Sequence, residues 1–118
     1  METVAAVTIG IVAFLHIVFL VMEMFLWTKP IGRRSFGLTE ELATATATLA
    51  RNQGLYNGFL AAGLVWGALS GDWPIQLFFL VCVIVAGIFG ALTVGRSILW
   101  IQAGPGLAAL ILAFLARD

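Results

Sequence analysis

Sorted only by polarity, the chain falls into four apolar runs separated by short polar breaks. The first extends from Val4 to Trp27 and is interrupted only by Thr8, His16 and Glu23. It is long enough for a membrane helix, which needs about 20 apolar residues. It does not resemble a signal peptide: Glu2 stands where a positive n-region belongs, and no small-residue cleavage site follows. Lys29-Pro30 ends the run, because proline cannot continue the helical hydrogen bonding. A polar connection from Thr28 to Leu38 leads to Thr39, which has the character of an N-cap, with Glu40 and Glu41 in the first turn behind it. The alternation of alanine and threonine from Leu42 to Ala50 reads as an interfacial helix leading into a second span over Asn52 to Leu69. Ser70-Gly71-Asp72-Trp73-Pro74 is a turn, Ile75 to Thr93 a third span, Gly95-Arg96-Ser97 a break, and Ile98 to Ala116 a fourth span. Gly104-Pro105-Gly106 predicts a kink within that last span. The expected fold is an all-α membrane protein: one domain over 1–118, with four spans in a bundle and a short interfacial helix between the first two.

Composition narrows the solvent and the partners. Of 118 residues, 62% are hydrophobic and only 10% charged, and the mean hydropathy is +1.09. A water-soluble fold of this size needs far more polar surface; about a quarter of an ordinary chain is charged. A soluble enzyme and a disordered chain are excluded. With a formal net charge of zero, no basic field seeks nucleic acid. The single cysteine cannot form an internal disulfide. Lysine and arginine collect in the first and third connections, as Lys29, Arg33, Arg34 and Arg96, with Arg51 beginning the second span, while the other side holds only Arg117 near Asp72 and Glu2. The positive-inside rule then places both connections in the cytoplasm and both termini outside.

A rise of 1.5 Å per residue converts this topology into depth. Glu23 falls about 6 Å inside the cytoplasmic interface and His16 about 10 Å deeper. Arg51, Asn52, Gln53, Tyr56 and Asn57 occupy the first turns of the second span, and Gln102 lies about 9 Å from Arg96 along the fourth. These residues define a candidate ligand site in the cytoplasmic half. At about 100° per residue, Asn52, Gln53, Tyr56 and Asn57 share one face of their helix, while Arg51 points with Gly54 and Gly58 toward another. Gly54-xxx-Gly58, Gly63-xxx-Gly67 and Gly87-xxx-Ala91 mark close helix packing. An acidic side chain such as Glu23 costs about 2.5–3.5 kcal/mol at the centre of a span. It therefore needs either a partner, with Arg51 or Arg96 as candidates, or a functional reason. One histidine and one glutamate seven residues apart do not form a metal-ligand set, no cofactor site is expected, and no catalytic motif is present.

Several of these segments are similar to those of one family. Glu23-Met-Phe-Leu-Trp27, Gly32-Arg-Arg followed by Phe36-Gly-Leu38, and Asn52-Gln-Gly-Leu-Tyr-Asn-Gly-Phe-Leu-Ala61 resemble the small bacterial membrane proteins called domain of unknown function 1304. Ile75-Gln-Leu-Phe-Phe79 and Val83-Ile-Val-Ala-Gly87 match its third segment. The resemblance implies a four-span integral protein of the bacterial inner membrane and carries no established activity. A fainter similarity links Arg51 to Asn57 with the second helix of a trimeric four-helix family of eicosanoid and glutathione metabolism. That family's glutamate after the asparagine has no counterpart here, where Leu60 and Ala61 occupy the region.

Three functions follow as expectations. The first is a homo-oligomeric membrane protein binding or transporting a small molecule at His16, Glu23, Arg51, Asn52, Gln53, Tyr56, Asn57 and Gln102. The second is a membrane enzyme for a lipid or thiol substrate, with Arg51 holding an anion. The third is an accessory subunit whose polar residues only organise packing.

Overall fold

The computed structural model describes residues 1–117 and is helical throughout, with no strand among the described residues. Its elements are α1 (Glu2–Met24), α2 (Pro30–Phe36), α3 (Glu40–Ser70), α4 (Trp73–Thr93), a π-helical segment (Leu99–Ala103) and α5 (Gly104–Ala116). Among the described residues three helical stretches are long and apolar enough to cross a membrane: Glu2–Met24, Trp73–Thr93 and Leu99–Ala116. Helix α3 is not among them, because Arg51, Asn52, Gln53 and Asn57 interrupt its apolar character.

The element boundaries follow from local chemistry. Pro30 occupies the first turn of α2, where a missing N–H costs nothing, and Gly37 closes that helix with φ 65°, its N–H donating to the Arg33 carbonyl. Thr39 caps α3 as expected, its Oγ1 accepting from the Leu42 N–H at 3.1 Å. The Leu42–Ala50 stretch, however, is not a separate interfacial helix: α3 runs unbroken for 31 residues. Its threonines turn their hydroxyls back onto the helix, Thr44 donating to the Glu40 carbonyl and Thr46 to that of Leu42. The polar groups are thereby satisfied within the helix, and the short helix of the connection is α2 instead. Asp72 caps α4 by accepting from the Ile75 N–H.

Where a kink is predicted, the helix leaves α geometry. Pro105 has no N–H to donate to the turn before it, and the backbone widens into the π-helical segment, with the Gly104 N–H reaching the Leu99 carbonyl.

By density of contacts the chain divides into two units, one of residues 1–15 and 60–118 and the other of residues 16–59. The first has a core of Ile9, Val12, Ala13, Leu64, Leu80, Val83, Ala109 and Ala113. Small residues set its spacing. A Cβ at Gly87 would lie 2.8 Å from the Ala103 nitrogen, so α4 meets the π-helical segment backbone to backbone. Gln76 is buried and donates through Nε2 to the Gly67 carbonyl at 2.9 Å, tying the start of α4 to the end of α3. In the second unit, Trp27 Nε1 donates to Thr46 Oγ1 at 3.0 Å and the Trp27 ring lies 4.9 Å from that of Phe36. Large apolar side chains such as Phe14, Phe78, Phe89 and Trp100 are exposed around the outside, the distribution expected for contact with hydrocarbon rather than water.

Candidate functional site

The second unit holds Glu23, an acidic side chain near the end of a helix long and apolar enough to cross a membrane. Glu23 stands in the last turn of α1, half-buried, and its Oε1 accepts a hydrogen bond from Asn57 Nδ2 at 2.5 Å. Within this unit the carboxylate is thus held by an amide, where the sequence suggested an arginine such as Arg51. Asn57 is buried because of its glycine neighbours. A Cβ at Gly54 would approach Met24 Cγ, the Leu20 carbonyl and Glu23 Cβ, and one at Gly58 would lie 2.8 Å from Leu20 Cδ1. The two glycines bring the α3 backbone close enough for the short Asn57 side chain to reach Glu23.

This arrangement revises the assignment of faces on α3. The expected polar face and small-residue face are not separate, since Gly54, Asn57 and Ala61 are all buried on one side. Asn52, Gln53 and Tyr56 are exposed, and Tyr56 rests edge-on against Phe59 with ring centroids 5.8 Å apart. His16 is buried and meets Phe19 edge-on at 5.5 Å. Gln102 belongs to the first unit, where its Nε2 donates to the Val83 carbonyl at 3.3 Å and joins the π-helical segment to α4.

Beside Glu23 is a cavity of about 70 Å³, walled by Glu23, Met24, Trp27, Thr28, Ala47 and Arg51. Pockets for drug-sized ligands run to roughly 300–1,000 Å³, so this one admits a few waters or a molecule of a few heavy atoms. Its wall offers a carboxylate acceptor, a hydroxyl and a guanidinium. Trp27, Thr28 and Ala47 are outside the expected site; they come from the turn after α1 and from the segment of α3 expected to be interfacial.

The first unit holds a larger cavity, of about 610 Å³, at the start of α1, the turn between α3 and α4, and the end of α5. These residues come from three distant segments, so the polarity pattern does not mark them as a site. Yet the topology had already put Glu2, Asp72 and Arg117 on one side. Among the described residues no group of three or more His, Cys, Asp or Glu is placed to hold a metal ion.

The helices and their lengths define an all-helical chain with three segments fit to cross a membrane. It belongs to the family Protein of unknown function (DUF1304), whose model matches residues 10–114. The chain is 32% identical over 105 residues to the uncharacterized protein YpaA of Lactococcus lactis subsp. lactis (strain IL1403), a match covering 86% of this chain and 87% of that one. No solved structure matches the chain.

Proposed function

We propose that the protein is a small multi-span membrane protein that binds and transports a small polar molecule at Glu23, with Asn57 orienting the carboxylate and Arg51 offering a donor from the same wall. The observation that carries this reading is the ionisable side chain in a helix apolar enough to span, placed against a cavity and held by a neutral amide. Intramembrane acids of this kind usually mark a solute or proton path. A molecule bearing N–H or O–H donors complements the carboxylate, and the size of the cavity favours methylamine, guanidinium or urea over anything larger.

The proposed topology uses α3 as a fourth crossing. Its 31 residues extend about 46 Å, enough for a hydrocarbon core of about 30 Å. Both termini lie outside the bacterial inner membrane, and the exposed Asn52 and Gln53 meet a second copy of the chain. In reconstituted liposomes, Glu23→Gln abolishes entry of methylamine, guanidinium and urea while helical content is retained. A variant that conducts them as the native chain does, or a native chain that conducts none, overturns the reading.

A packing role is the second reading, favoured by the close contacts at Gly54 and Gly58. In that case Glu23→Gln lowers stability, and no solute flux depends on it.

A further inference from the structure

The 610 Å³ cavity of the first unit has a wall unlike that beside Glu23. Two of its lining residues are charged, Glu2 from the first turn of α1 and Arg117 just beyond α5, and they are opposite in sign. The Arg117 guanidinium lies 4.0 Å from the Phe114 ring centroid and 5.7 Å from that of Trp73. Aromatic rings that hold a guanidinium by its face leave the in-plane N–H groups to grip an oxyanion. The Glu2 carboxylate suits an ammonium. Alanines from α1, α3 and α5 contribute to the wall together with Trp73, Gln76 and Ser70, so it is partly apolar. The volume falls within the range of small-molecule sites, about 300–1,000 Å³, and Trp73 is a residue type enriched where helices meet lipid headgroups.

We propose that this funnel is a binding site for a phosphoethanolamine group, its phosphate on Arg117 and its ammonium on Glu2. The group is available both on a lipid and as a free solute. The untagged full chain in maltoside micelles is titrated with O-phosphoethanolamine, with a short-chain phosphatidylethanolamine, and with phosphatidylglycerol of the same chain length, and adducts are counted by native mass spectrometry. Saturable binding of an ethanolamine probe, at least tenfold tighter than phosphatidylglycerol, is expected. Arg117→Gln, Glu2→Gln and Ala116→Phe, the last filling the funnel, each weaken it at least tenfold without loss of helical content. Binding of the lipid alone supports the proposal with the bilayer as source, and binding of O-phosphoethanolamine supports it with a free solute as source. The proposal is overturned by no saturable binding of either probe, by equal affinity for phosphatidylglycerol, or by folded variants that bind as the native chain does.

Discussion

Removing the Asn57 amide leaves the Glu23 carboxylate in a half-buried setting without its donor. Asn57→Leu keeps the side-chain size and deletes the hydrogen bond. An unsatisfied buried group costs about 1–3 kcal/mol, whereas replacing both partners with apolar groups is nearly neutral. Hydrogen bonds to a charged acceptor contribute about 1.5–3 kcal/mol in water-soluble proteins, but contacts between membrane helices average about 0.6 and reach about 1.7. The Glu23–Asn57 coupling should therefore be about 1–2 kcal/mol. A double-mutant cycle of Glu23→Leu, Asn57→Leu and both together measures it, through reversible unfolding in mixed dodecyl-sulfate micelles followed by circular dichroism. Each single variant is destabilised, and the double variant loses less than the sum of the two by that coupling. Additivity within about 0.3 kcal/mol, the behaviour of independent sites, would refute the claim that the amide holds the carboxylate.

Three further substitutions test the first unit. Gly87→Ala gains about 1 kcal/mol of helix propensity but forces its Cβ to 2.8 Å from the Ala103 backbone nitrogen; overpacking of this kind costs about 1–3 kcal/mol, so a net loss of about 1 kcal/mol is expected in the same unfolding assay. Gly10→Ala, with nothing within 4 Å, should instead stabilise by about 0.5–1 kcal/mol, and equal signs for the two would contradict the close approach. Pro105→Ala restores a donor for the preceding turn, so the Gly104 N–H should move from the Leu99 carbonyl to that of Trp100, read as a change in hydrogen-bond couplings by nuclear magnetic resonance; an unchanged partner would show that proline does not cause the π-helical segment.

What the sequence disclosed, and what it hid, follows from how far each feature depends on its neighbours. The Thr39 cap and the acidic Glu23 in an apolar run are local, decided by residues a turn apart, and were legible. The end of the first helix was not, since the run was expected to continue to Trp27 and stop at Lys29-Pro30, whereas α1 ends at Met24 and Pro30 opens α2. The continuity of α3 was not legible either. Threonine alternating with alanine lowers hydropathy without breaking the helix, and the Thr44 and Thr46 hydroxyls bond the preceding turn. Nor was the placement of Asn57 apart from Asn52, Gln53 and Tyr56 legible. An arc of a helix shows which residues lie together, but the glycines facing α1 decide which of them is buried. The larger cavity is assembled from helix ends far apart in the chain, and only the fold brings Glu2, Trp73 and Arg117 to one opening.

The central claim is that Glu23 meets a solute rather than serving only as a clamp between α1 and α3. It is tested most directly by modifying the purified chain with a hydrophobic carbodiimide and following the adduct at Glu23 by mass spectrometry, with and without methylamine, guanidinium or urea. The account predicts that Glu23 is modified and that at least one of these molecules slows the modification in a saturable way. A carboxylate that does not react, or one that reacts at the same rate whatever solute is present, would contradict it.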